Sequence, residues 1–213
     1  MIEAILILII SYVLGSIPFG YLITKISTKK NLLEIGWKKN SGSNVYKNVG
    51  KWQGVATFLL DASKGALAVY IPLYFGLGVE IQVFCAILAV IGHNWSVFLG
   101  FSGGRGLATL VGALMVISPI YLAIILIPCL IFTIIWTASV GTLLSFLTGI
   151  FLSLSVSEYA LPGIILSIAL IPVLIKRLSP ISEIQGKREL IENRLFFDQD
   201  TIPPLRIKRK KPL

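Results

Sequence analysis

Clusters of polar residues interrupt an otherwise apolar chain, and one of them has the residue types that phosphate binding requires. Gly103, Gly104 and Arg105 form a polar turn that leads into an apolar segment starting at Gly106. Glycines let backbone N–H groups point at an anion, and the N-terminus of a following helix adds partial positive charge. Arg105 adds a permanent cation. The turn is therefore a candidate phosphate site, although these residues also suit a plain interhelical turn in which Arg105 only marks the cytoplasmic side.

The loop at residues 40–51 is a second candidate, because it combines hydroxyl, amide and basic side chains with glycines. Ser41, Ser43, Asn44 and Lys47 are its candidate anion ligands. Such a composition is also typical of ordinary turns, so it does not establish a site by itself.

Five further polar side chains lie inside apolar segments or at their ends. Asp61 and Lys64 lie ~10 and ~15 Å into the second apolar segment, and their i,i+3 spacing places both on one helix face. Ionisable residues within spans are costly and are functional candidates by default, but these two could also form an ion pair that locks helices together. His93 could act as a base, bind phosphate or pack through hydrogen bonds. Ser16 and Tyr21 could bind substrate or anchor the first segment at the membrane interface.

The remaining reactive residue types argue against metal and hydrolase chemistry. The chain has one His and two Cys residues, and both cysteines, Cys85 and Cys129, lie within apolar segments. This set cannot form a tetrahedral metal site. The sequence has no Ser-His-Asp order, no Walker loop and no histidine–acid acyltransferase box. We therefore expect no metal and no cofactor.

These side chains must be positioned by a membrane-embedded fold. The chain has 213 residues, of which 55% are hydrophobic and 14% charged, and its mean hydropathy is +0.86. This composition excludes a soluble enzyme, a disordered binder and a disulfide-rich secreted module. Because a helix needs ~20 apolar residues to cross ~30 Å of hydrocarbon, we predict an all-α integral membrane protein with seven transmembrane helices. The predicted spans are residues 2–23, 54–76, 80–101, two spans within 106–137 divided at Pro119, 139–156 and 161–175.

The distribution of basic residues orients these spans. The formal charge is +9, from 19 Lys and Arg against 10 Asp and Glu. With the N-terminus outside and the C-terminus in the cytoplasm, every Lys and Arg except Lys64 falls in a cytoplasmic segment, as the positive-inside rule favours. Six spans would place the two basic clusters on opposite sides of the membrane. We predict that residues 1–177 form a membrane domain and that residues 178–213 form a basic cytoplasmic tail.

The tail has two features of its own. Its apolar residues could line one face of a surface helix; they are Ile184, Leu190, Ile191, Leu195 and Phe196. The basic run at residues 206–211 favours contact with anionic lipid over a nucleic-acid arm. We expect membrane lipids as partners and no nucleic acid.

The polar clusters and their apolar surroundings resemble a known family, the PlsY-type, acyl-phosphate-dependent bacterial glycerol-3-phosphate acyltransferases. The resemblance covers nearly the whole chain and is strongest in GSIPFGYLI at 15–23, LLDASKGALAVY at 59–70 and GHNWSVFLGFSGGRGLAT at 92–109. It implies a seven-span, N-out fold and transfer of a fatty acyl group from acyl phosphate to the sn-1 hydroxyl of glycerol 3-phosphate, giving lysophosphatidic acid. We expect a monomer in the bacterial plasma membrane with its active site facing the cytoplasm.

The sequence departs from the family pattern in its first and third motifs. The family's GSGNxGATNxxR corresponds to GWKKNSGSNVYK at 36–47, where Trp37 takes the place of a serine unless a short gap lets Ser41 or Ser43 stand in. FKGGKG becomes FSGGRG, and HRxN becomes the segment from Lys176 to Ser179 without the expected His and Asn.

The resemblance then implies two sets of site residues. The expected catalytic residues are Lys47, Arg105 and Ser43. The expected substrate-binding residues are Ser16, Tyr21, Ser41, Asn44, Asp61, Lys64, His93, Gly103, Gly104, Lys176 and Ser179. The proton of the attacking hydroxyl could pass to a substrate phosphate oxygen, with a carboxylate or histidine as the alternative acceptor.

Two other functions stay open from the sequence alone. A divergent family member could act on another phosphorylated acceptor or be catalytically weakened, because Lys47 takes the place of the Arg that ends the family's first motif, and Lys for Arg turns a bidentate clamp into a point charge. A small transporter would use Asp61 and Lys64 to line a pathway, but no inverted repeat is visible.

Overall fold

The computed structural model describes residues 2–197, and their regular structure is helical throughout. The ten α-helices of this part of the chain are α1 (Ile2–Ser16), α2 (Phe19–Thr28), α3 (Gly42–Asn48), α4 (Lys51–Tyr74), α5 (Val79–Asn94), α6 (Leu107–Ile117), α7 (Pro119–Ile135), α8 (Ala138–Ser155), α9 (Ala160–Leu178) and α10 (Arg188–Glu192). Short 3₁₀ turns lie at Leu32–Glu34, Val97–Leu99, Ser157–Tyr159 and Ile181–Glu183.

Five helical segments of the described residues are long and apolar enough to cross a membrane, and α6 and α7 are shorter apolar helices. The five are Ile2–Thr28, Lys51–Tyr74, Val79–Leu99, Ala138–Ser155 and Ser157–Leu178. Their outward-facing Ile, Leu and Phe side chains are largely exposed, as lipid contact requires. The predicted all-α integral membrane architecture is confirmed.

Two prolines divide the apolar segments. The first span consists of α1 and α2, which meet at Ile17 and Pro18, and it continues to Thr28 rather than ending at residue 23. Proline lacks an N–H and disfavours helical geometry in the residue before it, which explains the break. The division of residues 106–137 is confirmed, because α7 begins at Pro119, where a proline loses no hydrogen bond.

Close backbone contacts hold α4 against α6. Gly65 of α4 packs on the backbone of Thr109, and Gly112 of α6 packs on the backbone of Ala62, so a Cβ at either glycine would overlap the facing helix. Small residues at such crossings are typical of membrane helices, because they let two backbones approach. The arrangement fixes the start of α6 against the middle of α4.

The segment after α9 is not the single amphipathic helix that the sequence suggested. It forms a 3₁₀ turn, the short α10 and a π turn at Asn193–Phe197, and it folds back on the bundle. Arg194 donates to the carbonyl oxygens of Leu178 at 3.0 Å and Pro180 at 3.3 Å, and the Thr137 hydroxyl donates to the carbonyl of Phe196 at 2.7 Å. The basic run at 206–211 lies outside the described residues.

Candidate active site

A polar junction forms where α1 and α2 separate. In an unbroken helix the N–H of Tyr21 would bond the carbonyl of Ile17. Here the Ile17 carbonyl accepts from the Lys64 ammonium at 2.8 Å, and the Tyr21 N–H donates to the Asn40 side-chain oxygen at 2.9 Å. Both groups freed by the break are therefore satisfied by side chains from other elements.

The glycine turn is attached to this junction. The backbone N–H of Asn40 donates to the carbonyl of Gly103 at 3.2 Å, and the N–H of Gly104 donates to the carbonyl of His93 at 3.1 Å. A Cβ on residue 104 would overlap the carbonyl oxygen of Asn40 and the His93 Nε2. Close packing on both sides thus requires glycine at this position, whatever the turn binds.

Asp61, Lys64 and His93 form one buried group. The Lys64 ammonium lies 2.8 Å from Asp61 Oδ1, and His93 Nδ1 lies 3.5 Å from the same oxygen. Their exposed fractions are 1%, 1% and 3%. The i,i+3 spacing therefore does produce an ion pair, and the imidazole of α5 joins it.

Arg105, Ser43 and Ser41 meet beside the turn. Arg105 Nη2 donates to the Ser43 hydroxyl at 3.1 Å, and the hydroxyls of Ser41 and Ser43 lie 3.4 Å apart. Ser41 caps α3 by accepting from the N–H of Asn44 at 3.3 Å. We call Ser41, Ser43 and Arg105 the serine–arginine cluster.

Lys47 and Asn44 lie on the same short helix, α3, but face different surroundings. Lys47 is exposed, and its ammonium lies 4.9 Å from the centre of the Trp37 ring. Asn44 is buried and donates to the carbonyls of Ile35 and Lys39 at 3.1 and 2.9 Å. Asn44 therefore shapes the loop that leads into α3.

A cavity of about 780 Å³ borders the glycine turn at Gly103. Its lining is strongly basic, with five Lys and Arg residues against Glu183. The lining residues are Gly36, Trp37, Lys38, Lys39, Trp95, Phe101, Ser102, Gly103, Lys176, Arg177, Ser179, Pro180, Glu183 and Arg194. We call this the basic cavity. It contains three of the predicted site residues: Gly103, Lys176 and Ser179.

The helix α9 brings two of the cations to the basic cavity. The Lys176 ammonium lies 5.4 Å from the centre of the Trp95 ring. Arg177 is 1% exposed and donates to the carbonyl of Leu195 at 3.3 Å. Lys39 donates to the carbonyls of residues 176 and 177 at 3.3 and 3.4 Å, which places a cation at the C-terminal end of α9.

Tyr21 lines a second, apolar cavity of about 320 Å³ at the α1–α2 break. The other lining residues are Ile17, Pro18, Leu22, Phe98 and Leu99. Ser16 is fully buried, and its carbonyl accepts from the Ser96 hydroxyl. Ser16 is not among the described residues that line either cavity.

Sequence reasoning missed several residues that build the site. Asn40 stands in the polar loop but was not selected, and only the fold reveals that it joins the helix break to the glycine turn. Arg177 neighbours a selected residue. Arg194 comes from the segment after the last span, where no sequence signal links it to a cavity.

Comparisons with known proteins agree with this arrangement. The sequence model described as glycerol-3-phosphate acyltransferase matches residues 5–185. A glycerol-3-phosphate acyltransferase of Lactococcus lactis is 36% identical over 167 residues, which is 78% of each chain. Glycerol-3-phosphate acyltransferase 5 of Dehalococcoides mccartyi is 33% identical over 206 residues, covering 92% of this chain and 88% of its own.

The solved structures of PlsY (YgiH), an integral membrane glycerol 3-phosphate acyltransferase, share the fold. Its glycerol 3-phosphate form superposes with a TM-score of 0.70 at 27% identity, covering 87% of this chain and 94% of that one. Its lysophosphatidic acid form gives the same TM-score at 26% identity, with 87% and 93% coverage. Sequence and fold together show that the chain belongs to the glycerol-3-phosphate acyltransferase family.

Proposed function

We propose that this protein transfers a fatty acyl group from acyl phosphate to the sn-1 hydroxyl of glycerol 3-phosphate, producing lysophosphatidic acid and inorganic phosphate. The observation that carries the proposal is the pair of cationic sites next to the Gly103–Arg105 turn, namely the basic cavity and the serine–arginine cluster. Both substrates carry a phosphate, so the reaction needs two anion sites within reach of each other. The family membership and the glycerol 3-phosphate and lysophosphatidic acid forms of PlsY support the same reaction.

The chemistry asks mainly for positioning. The glycerol hydroxyl oxygen attacks the acyl carbonyl carbon, the new ester C–O bond forms, and the C–O bond to phosphate breaks with its electron pair leaving on phosphate. The hydroxyl proton passes to a phosphate oxygen. Acyl phosphate is a mixed anhydride with a good leaving group, so fixed cations and N–H donors at the developing negative charge supply most of the catalysis.

In this proposal the basic cavity holds glycerol 3-phosphate. Lys176, Ser179 and the backbone of Gly103 contact its phosphate, since all three line the cavity. The serine–arginine cluster holds acyl phosphate, with exposed Lys47 at its rim. The apolar cavity beside Tyr21 supports part of the acyl chain, because its lining offers hydrocarbon next to the α1–α2 break.

Two further expected site residues act indirectly in this proposal. Asn44 bonds the carbonyls of the loop before α3, and Ser16 links α1 to the turn at Ser96. Both therefore shape the site without contacting substrate.

The direct test is a reconstituted assay. Purified protein in phospholipid vesicles receives labelled palmitoyl phosphate and glycerol 3-phosphate, and labelled lysophosphatidic acid is followed. We expect product formation that depends on both substrates and that falls at least ~10-fold in Lys47→Ala, as expected when one charged contact is lost. Product formation no faster than in heat-inactivated protein would falsify the proposed reaction.

One observation favours a second candidate, transfer to a bulkier phosphorylated acceptor. Trp37 and Trp95 line the basic cavity, and its volume of about 780 Å³ lies in the range of sites for drug-sized ligands. Competition in the same assay separates the two functions: a larger phosphorylated alcohol that is acylated with a higher kcat/KM than glycerol 3-phosphate would favour the second.

We also propose that the five long and two shorter apolar helices make seven crossings of the bacterial plasma membrane. The N-terminus then lies outside and the active site faces the cytoplasm. In a variant lacking Cys85 and Cys129, a cysteine at Lys38 is expected to react with an impermeant maleimide only after permeabilisation. A cysteine at Glu158 should react in intact cells. The reverse labelling pattern would place the site outside.

The protein is expected to work as a monomer, because both cationic sites are built from one chain. Light scattering of the detergent-solubilised protein measures this directly, and activity confined to a larger species would contradict it.

Gly104→Ala is expected to lower kcat/KM for glycerol 3-phosphate ~10-fold or more. The added Cβ would press on the Asn40 carbonyl and the His93 ring, so the turn must shift. The matched control is Gly78→Ala. Gly78 has a negative φ, and a Cβ at this position would meet only the flexible end of the Glu80 side chain. Equal activities of the two variants would show that the turn needs no glycine at 104.

A further inference from the structure

We infer that Asp61, Lys64 and His93 form a positioning unit that sets the Gly103–Arg105 turn and do not touch substrate. The inference rests on the proposed function and assigns these three residues a role different from the substrate-binding role expected from the sequence. It is carried by two chains of contacts that begin at one carboxylate, Asp61.

The first chain runs through Lys64 to the break in the first span. Lys64 bonds Asp61 at 2.8 Å on one side and the Ile17 carbonyl at 2.8 Å on the other. The Tyr21 N–H, which would bond that carbonyl in an unbroken helix, instead donates to the side-chain oxygen of Asn40. Asn40 in turn donates its own N–H to the Gly103 carbonyl. The Asp61–Lys64 pair therefore supports the same junction from which Asn40 holds the glycine turn.

The second chain runs through His93 to the turn itself. Its Nδ1 lies 3.5 Å from Asp61 Oδ1, so this edge of the ring faces the carboxylate. Its Nε2 lies against Gly104, and its backbone carbonyl accepts from the Gly104 N–H at 3.1 Å. The imidazole is thus a rigid spacer between the ion pair and the backbone that precedes Arg105.

Burial separates this role from substrate binding. The three side chains are 1–3% exposed, and none is among the described residues that line the basic cavity or the apolar cavity. A buried ion pair alone is also a weak stabilising device, because desolvation offsets its attraction. A pair that served stability only could be replaced by two neutral side chains without functional loss.

That contrast supplies the test. Asp61→Asn and Lys64→Met each leave one buried charge without its counterion, and both are expected to lower the Tm. The double variant removes both charges, so its Tm should recover towards the wild type. If the pair positions the turn, the KM for glycerol 3-phosphate stays ~10-fold raised in the double variant, because the Ile17 carbonyl has lost the Lys64 ammonium and the His93 ring faces a neutral amide in place of a carboxylate.

Two further variants complete the design. His93→Asn leaves the Asp61–Lys64 pair intact but removes the ring from Gly104, and we expect a rise in KM of ~5- to 10-fold together with a lower Tm, because the smaller side chain leaves a buried cavity. Leu166→Ala, in the α5–α9 core, lowers the Tm through an apolar cavity and should leave KM unchanged. A double variant with both Tm and KM at wild-type values would overturn the inference.

A binding readout keeps this result independent of the reaction. Inorganic phosphate is titrated against the Tm of the wild type and of each variant. Positioning predicts a phosphate midpoint ~10-fold higher in the double variant and in His93→Asn. Unchanged midpoints, or no stabilisation of the wild type by phosphate, would overturn the inference. An inactive wild type that phosphate still stabilises would instead contradict only the acyltransferase reaction.

Discussion

Arg105→Ala is expected to lower kcat/KM for lysophosphatidic acid formation by about 10²–10³. We expect this to be the largest effect on activity of any single substitution that leaves the packing between helices intact. Arg105 is 9% exposed, follows the glycine turn directly, and donates to the Ser43 hydroxyl at 3.1 Å. A fixed guanidinium in such a partly dry site stabilises charge that develops as the acyl–phosphate bond breaks, at little reorganisation cost. Initial rates at saturating and subsaturating acyl phosphate give kcat and KM separately, and most of the loss should fall on kcat.

Controls for this prediction separate charge, hydrogen bond and folding. Arg105→Lys keeps the charge but loses the planar fork, so an intermediate loss is expected. Ser43→Ala removes the hydrogen bond and leaves the cation, so it should cost less than Arg105→Ala. Arg188→Ala is the matched arginine control, because that side chain is 92% exposed and pairs with Glu192 on α10. If Arg105→Ala and Arg188→Ala have equal rates, Arg105 has no part in the reaction.

Much of the architecture follows from hydropathy and from two prolines. Long apolar runs predict membrane helices because lipid leaves no other partner for the backbone. Pro119 correctly divides residues 106–137, since the helix register must restart there. The break at Pro18 was not predicted, although the same physical rule applies. The apolar run continues through it, and only the tertiary contacts of Lys64 and Asn40 make the break tolerable inside the bundle.

The site was less predictable than the fold because its parts are distant in sequence. Residue type alone identifies Arg105, Ser43 and Gly103 as candidates, and the structure places them beside one turn. Residue type cannot reveal that Asn40 joins the α1–α2 break to the glycine turn. Nor can it show that Arg194, which is only 5% exposed, lines the basic cavity. Its position there depends on how the segment after α9 folds back on the bundle.

Three of the departures from the family pattern lie in the basic cavity. In the ungapped register Trp37 takes the place of the pattern's serine, and Lys176 and Ser179 take the places of its His and Asn; all three line the cavity wall. The substitutions at 37 and 176 therefore change one surface together. They replace small or uncharged groups by an aromatic ring and an ammonium, which favours a phosphate held by point charge over one held by neutral hydrogen bonds.

Lys176→Met is the sharpest test of this interpretation, and we expect it to raise the KM for glycerol 3-phosphate ~10²-fold with a smaller effect on kcat. The Lys176 ammonium borders the basic cavity, contacts the Trp95 ring, and has no hydrogen-bond acceptor within residues 2–197. Methionine keeps most of the side-chain volume, so the loss reports the charge. Removing one partner of a buried charged contact costs about 2–5 kcal/mol, a range that includes the free energy of a ~10²-fold change in KM.

The controls for Lys176 decide between a phosphate ligand and a general electrostatic effect. Lys187→Met removes a charge from the exposed segment before α10 and should leave KM within ~2-fold, because exposed charges are screened by solvent. Lys176→Arg retains the cation and should keep KM within ~10-fold of the wild type. Lys176→His restores the residue of the family pattern, and recovery of most of the activity lost in Lys176→Met would identify this position as the acceptor-phosphate contact. A Lys176→Met enzyme with unchanged KM would move glycerol 3-phosphate out of the basic cavity and leave the serine–arginine cluster as its binding site.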